Sequence, residues 1–299
     1  MASAFQEQYE RVKSADGFLA ALDQSGGSTP KALHQYGVPD DSYVDGEESM
    51  FDMVHQMRSR IITAKPFTGD RVLGAILFEN TMDRQIEGKS TSDYLWQVKK
   101  VVPFLKVDKG LAPEENGVQL MKPIPGLDDL LKRGKKAGIF GTKMRSVVKT
   151  DNEVGIKKIV DQQFEIGKQI IKAGLVPILE PEVDITSPKK KESEALLKKF
   201  ILEHLNKLGP DEMVMLKLSI PTVENLYKEC IEHPNCVRVV ALSGGYSRDE
   251  ANKLLAKQKG MIASFSRALI EGLQYSQTNE QFEATLESTI QSVYEASKT

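Results

Sequence analysis

Met213-Val-Met-Leu-Lys-Leu-Ser-Ile-Pro221 is an apolar run interrupted only by Lys217 and Ser219. The turn-like Leu208-Gly209-Pro210-Asp211 precedes it and Pro221 closes it, so its length suits a strand. Its lack of alternation suits a strand covered on both faces, as in a parallel sheet. An ammonium in such a place costs several kcal/mol unless it is paired or gives up its proton. Lysine does the second readily, and a neutral amine attacks a carbonyl carbon to form a Schiff base. The ordinary alternative is a lysine that snorkels to the surface. Lys217 is the first candidate for chemistry.

Outward from it, seven more runs of this kind are spread along the chain. Gly17 to Asp23 ends in an acid and breaks into Gln24-Ser-Gly-Gly-Ser28. Val72 to Phe78 ends at Glu79, and Val101 to Val107 leads through Lys106 to Asp108-Lys109-Gly110. Ile139 to Met144 ends Lys143-Met-Arg145, and Leu175 to Leu179 leads into Glu180-Pro-Glu182. Val237 to Leu242 ends in Ser243-Gly-Gly245, and Met261 to Phe265 carries Ser264, with Ser266 and Arg267 after it.

Helical spacing fills most of the gaps. Met50, Met53, Val54, Met57, Ile61 and Ile62 share one face between Glu47 and Thr63, and Ile156, Ile159, Val160, Phe164 and Ile171 do the same later. Shorter helices are read at Leu95 to Val98, Leu127 to Lys136 and Val223 to Ile231, with two more at the end of the chain. Thr150-Asp-Asn-Glu153 and Ser247-Arg-Asp-Glu250 match capping boxes, and Ser187-Pro188 matches a helix start with Ser as cap. Lys189 to Lys191 reads as the solvated face of that helix. Trp96 is expected in a gap between helix and sheet.

Eight strands alternating with helices predict an α/β fold, a single-domain (β/α)8 TIM barrel over residues 1–299. The rival is a doubly wound open sheet. It is disfavoured because polar residues of catalytic type end nearly all eight runs, as they would around one barrel mouth.

Composition narrows the class. Forty per cent apolar and 27 per cent charged residues argue against a largely disordered chain, and a formal net charge of -2 gives no reason to expect nucleic acid or an anionic membrane as partner. No apolar run approaches the roughly 18 residues of a membrane span, and the first residues are unlike a signal peptide. A cytoplasmic protein is expected. Cys230 and Cys236 have no Cys-x-x-Cys spacing, and His34, His55, His204 and His233 are scattered, so neither a metal site nor a disulfide framework is predicted.

In a closed barrel Asp23, Lys106, Lys143, Arg145, Glu180, Glu182, Lys217, Ser243, Gly244, Ser264 and Arg267 would converge. So many cations need acids and an anionic ligand beside them. A cation such as Lys143 near Lys217 would favour the free amine, and Glu180 or Glu182 would shuttle protons through carbinolamine formation and dehydration. Ser243-Gly244-Gly245, between a strand and a capped helix, offers backbone N–H groups to a phosphate, although a glycine pair after a strand is more often only a turn. Arg267 adds a two-pronged donor. Lys106 beside Ser25 and Ser28 would hold a second phosphate.

With these residues assembled, the chain resembles the class I fructose-bisphosphate aldolases in their short bacterial form. The resemblance runs from Leu-Asp-Gln-Ser-Gly-Gly-Ser at Asp23 to Ser-Phe-Ser-Arg at Arg267. It includes Lys-Val-Asp-Lys-Gly at Lys106, Lys-Met-Arg at Lys143, Glu-Pro-Glu at Glu180, Leu-Lys at Lys217 and Leu-Ser-Gly-Gly at Ser243. It implies a (β/α)8 barrel, a Schiff base on Lys217, proton transfer by Glu180, and orienting roles for Glu182, Asp23 and Lys143. It implies substrate contact by Arg145, one phosphate site at Ser243, Gly244, Ser264 and Arg267, and another at Lys106, Ser25 and Ser28. Relative to the animal-type pattern, Gln24 replaces glutamate, Met144 tryptophan and Ser266 glycine. The long tail ending in tyrosine is missing, with Tyr294 as a conceivable substitute.

The resemblance implies reversible cleavage of fructose 1,6-bisphosphate into dihydroxyacetone phosphate and glyceraldehyde 3-phosphate, with no cofactor, since an iminium polarises the carbonyl as a metal would. The alternatives are a Schiff-base lyase for another phosphorylated ketose, such as sedoheptulose 1,7-bisphosphate or fructose 1-phosphate, and a second, protein-binding role. Self-association is a further possibility within the family.

Overall fold

The computed structural model describes residues 3–299, and Met1 and Ala2 of the expected 1–299 domain lie outside them. Eight parallel strands form in chain order. They are β1 Phe18–Leu22, β2 Val72–Leu77, β3 Val102–Lys106, β4 Gly141–Val148, β5 Val176–Val183, β6 Val214–Ser219, β7 Cys236–Leu242 and β8 Met261–Phe265. Each pairs with the next, and β8 returns to β1 through Leu19↔Ser264 and Ala20↔Phe265. The sheet is therefore closed, which excludes the open doubly wound alternative and agrees with the predicted (β/α)8 barrel.

Strand pleating splits the apolar residues into two layers. Leu19 and Ala21, Val102 and Phe104, Val176 and Ile178, Met215, and Ile262 share one cluster that fills the barrel. Their neighbours Ala20, Leu105, Leu179, Leu216 and Ala263 belong to a second cluster, with Ile61, Ile159 and Leu197 of the surrounding helices. This two-sided burial is why the runs read as continuously apolar.

Phe104 needs space that two glycines leave. A Cβ on Gly74 would stand 2.8 Å from the Phe104 ring and 2.6 Å from Leu19, and one on Gly141 would stand 2.2 Å from the Val176 carbonyl and 3.0 Å from Phe104. The end of the barrel where the strands begin is covered by helix Ala4–Ser14, which the sequence reading did not anticipate. Val12 of this helix is buried in the barrel cluster, and the Phe5 ring lies tilted against that of Phe140, with centroids 5.0 Å apart. Arg238 donates to the carbonyls of Lys13 and Ala15, which fixes the end of the helix.

Several local expectations are corrected. Helix Glu153–Lys172 is capped by Asn152, whose side chain accepts from Gly155 N, so the residue directly before the first turn displaces Thr150. Ser187 does not cap: its hydroxyl donates to the Lys149 carbonyl, and the helix begins at Lys190. Lys190 is not on a solvated face but buried, paired with Glu194 and donating to the Ile220 carbonyl. Of Val223 to Ile231 only Lys228–Ile231 is helical. Ser247 does cap its helix, Arg248–Leu255. Trp96, half-buried in a π-helical turn Tyr94–Lys99, packs against the cluster that fills the barrel, to which Val12 of the first helix also belongs. No helix among the described residues is long and apolar enough to cross a membrane.

Candidate active site

The alternation that fills the barrel also places the chemistry. Each inward row continues towards the C-terminal end of its strand and turns polar there. Val176 and Ile178 are followed on the same face by Glu180 and Glu182, Met215 by Lys217, Leu19 and Ala21 by Asp23, Val102 and Phe104 by Lys106, and Ile262 by Ser264. Glu180 and Glu182 lie inside β5 rather than beyond its end, and β4 runs through Lys143 and Arg145 to Val148. Asp23, Lys106, Lys143, Arg145, Glu180, Glu182, Lys217 and Ser264 all line one cavity of about 560 Å³, as do Ser25, Ser28, Ser243, Gly244 and Arg267.

At its centre is a chain of buried charges. Lys217 Nζ stands 3.2 Å from Glu180 Oε1, and Glu180 Oε2 is 2.7 Å from Lys143 Nζ, which is also 2.7 Å from Asp23 Oδ2. These four side chains are nearly sealed from solvent, at 4 to 6 per cent exposure. Burial pushes the Asp23 carboxyl up, but the charges of Lys143 and Lys217 outweigh it and hold it well below the usual carboxylate range. Burial alone would likewise loosen the Lys143 proton. Asp23 and Glu180 reverse this and hold it above the ordinary lysine value, so Lys143 is a cation shared between two carboxylates.

Around this centre, Arg145 Nε donates to Glu182 Oε2 at 2.6 Å. Lys106 donates to Asp108 Oδ1 at 2.7 Å, and Asp108 also accepts from the backbone N–H groups of Gly110 and Arg145. Ser25 and Ser28 bond to each other at the start of helix Ser28–Tyr36 and share the cavity with Lys106 without a direct bond to it among the described residues. Gly244 and Gly245 both take positive φ, 61° and 122°, where a side chain is disfavoured. Arg267 lies against this turn, its Nη2 being 3.5 Å from where a Cβ on Gly245 would sit. The Ser264 hydroxyl is buried with no partner among the described residues.

Six cations, Lys31, Lys106, Lys143, Arg145, Lys217 and Arg267, face four carboxylates across the cavity. The formal excess is positive, which suits an anionic ligand.

Three charged residues here escaped the sequence reading, and Lys31, in the cavity wall, is one of them. Asp108 holds Lys106 and Arg145; its signal was an acid two residues beyond a strand-end lysine. Arg58 is fully buried and donates to Thr81 and to the Gln24 carbonyl. Burial lowers its pKa to about 10, partly offset by Asp23. Its signal was an arginine four residues after Val54 on the apolar face of helix Glu48–Thr63. Gln24 in turn donates to the Ser266 hydroxyl at 2.6 Å, linking the loops after β1 and β8. Tyr294 does not line the cavity and packs against the outer cluster instead. No group of His, Cys, Asp and Glu suited to a metal ion occurs among the described residues.

Comparison with known proteins shows the family. The family described as fructose-bisphosphate aldolase class-I matches residues 8–225. The chain is 60% identical over 294 residues to fructose-bisphosphate aldolase class 1 of Synechocystis sp., covering 98% of both chains. It is 57% identical over 291 residues to the protein of that name from Porphyromonas gingivalis, covering 97% of this chain and 98% of the other. Its fold is similar to that of fructose-bisphosphate aldolase from Plasmodium falciparum, solved with TRAP and a small-molecule inhibitor, at a TM-score of 0.78 and 20% identity over 98% of this chain and 94% of the other. A barrel of this topology, matched over nearly its whole length at such identity, places the chain among the class I fructose-bisphosphate aldolases, and it is a lyase of that family.

Proposed function

We propose that Lys217 is the amine that captures the C2 carbonyl of fructose 1,6-bisphosphate, within a single barrel domain spanning residues 1–299. The observation that carries this reading is the buried Lys217 Nζ, 3.2 Å from Glu180 Oε1 inside a cavity of net positive lining. Lys217 first passes a proton to Glu180; addition of the freed amine gives a carbinolamine, and Glu180 returns that proton as the hydroxyl leaves as water. The resulting iminium accepts the electron pair of the C3–C4 bond as that bond breaks, and the C4 hydroxyl proton passes to Glu180. The products at that point are glyceraldehyde 3-phosphate and an enamine on Lys217. A proton returned to C3 and hydrolysis of the imine release dihydroxyacetone phosphate and restore the lysine.

Lys143, paired with Asp23, holds Glu180 in place, Glu180 in turn holds Lys217, and Glu182 orients Arg145 toward the substrate. Arg267, with Ser243, Gly244 and the unpartnered hydroxyl of Ser264, takes one phosphate; Lys106, Ser25 and Ser28 take the other. Charge-assisted bonds to phosphate are short and strong, which supports placing the cations at the ends of the ligand.

Borohydride reduction in the presence of dihydroxyacetone phosphate, followed by peptide mapping, tests the assignment. The adduct is expected on Lys217, and Lys217→Ala is expected to lose both adduct and cleavage. An adduct on a different lysine, with cleavage intact in Lys217→Ala, would refute it.

A further inference from the structure

Glu180 and Lys217 lie on neighbouring strands that separate where these residues occur. β5 and β6 pair only at Ile178↔Met215 and Leu179↔Leu216. Beyond that point β5 remains paired with β4 through Glu180, Glu182 and Val183, and β6 with β7 through Lys217 and Ser219. The barrel therefore has a seam at its catalytic end, one step past the last β5–β6 pair.

Ser219 bridges this seam. Its hydroxyl, on a residue only 1% exposed, accepts from Val183 N at 3.0 Å and donates to Val183 O at 2.6 Å. One hydroxyl thus serves both backbone groups of a single residue on the facing strand, which have no ladder partner there. Ser219 does not line the cavity, so it has no direct route to a ligand. On the other side of β6, the segment that follows is held by Lys190, donating to the Ile220 carbonyl at 2.7 Å, and by Glu194, accepting from Thr222 N at 2.9 Å.

We propose that Ser219 is a positioning residue for the Schiff-base lysine, its hydroxyl setting the gap between the parted strands and hence the distance from Lys217 Nζ to Glu180 Oε1. The proposal rests on the roles assigned above to Lys217 and Glu180. Proton transfer between those groups depends on near-contact geometry, so a small widening of the seam slows Schiff-base formation and leaves the phosphate contacts in place.

The test compares Ser219→Ala, Ser219→Thr and Ser219→Val in steady-state cleavage, in the rate of borohydride trapping with dihydroxyacetone phosphate, and in thermal melting. Thr and Val have nearly the same shape and differ in the hydroxyl. Ala and Val are expected to lower kcat and the trapping rate about tenfold with KM within about twofold, while Thr recovers most of the loss. A purely structural serine would lower Tm in Ala with kcat and trapping unchanged; that result, or a Thr variant no better than Val, overturns the proposal. Failure of the underlying assignment would look different, because the unsubstituted enzyme itself would then be trapped at a lysine other than Lys217.

Discussion

Asp23 shows how one buried side chain couples the site to stability. Its folded-state pKa is depressed: burial alone would raise it, and the nearby Lys143 and Lys217 pull it down further than burial pushes it up. In the unfolded chain an aspartate titrates near 3.9. Below that value the unfolded state binds the extra proton first, so the stabilisation due to Asp23 is present above about pH 3.9 and is lost as pH falls towards the folded value. Asp23→Asn is therefore expected to flatten the fall of Tm between about pH 4 and pH 2.5 relative to the parent. Parallel melting curves for the two proteins across that window would contradict the coupling. Lys143, held above the ordinary lysine value, acts with the opposite sign: its contribution is present below about pH 10.4 and is lost only as pH rises through the folded value.

At the scale of elements, the barrel interior depends on side chains that are absent as much as on those present. Phe104 pairs with Gly141 on β4, and on β2 its ring reaches over Gly74, two residues before its pairing partner Ile76. Neither Gly74 nor Gly141 has a left-handed backbone, so the reason for glycine is steric. Gly74→Ala forces the new methyl against Leu19, Phe104 and the Val102 carbonyl, none of which has room to move in a filled barrel. A loss of about 1–3 kcal/mol is expected from urea unfolding, the usual cost of overpacking a core. A midpoint equal to the parent's would show that the ring can shift. The helices behave differently, because their ends are decided by short-range competition. Asn152 prevails over Thr150 as a cap by adjacency, and Ser187 is drawn off by the Lys149 carbonyl.

At the scale of the whole molecule, closure of the sheet leaves both cysteines inside the protein. Burial raises the Cys230 thiol to about 12 and Cys236 further still. Since the thiolate is the reactive form, both thiols are expected to resist a disulfide reagent such as DTNB at pH 8 until the barrel opens. Two equivalents should then appear together in denaturant, at a rate set by unfolding. Prompt release of one equivalent from the native protein would show a local opening near β7.

Much of this was legible in order along the chain. Short apolar runs with a polar residue at the same end announced eight strands and the identity of the cavity residues, because pleating and burial act over two or three residues. The sequence could not show that Lys143 divides its charge between Asp23 and Glu180, that Arg58 lies buried against the Gln24 carbonyl, or that Lys190 is sealed against Glu194. Those contacts join residues from 4 to 120 positions apart whose burial depends on the elements packed over them. The seam spanned by Ser219 belongs with them: a serine in an apolar run has no visible partner until two strands are laid side by side and then part. Residue type and spacing determined which groups reach the mouth of the barrel; only the closed sheet decided which of them touch, because distance across a barrel is set by strand pairing rather than by position in the chain.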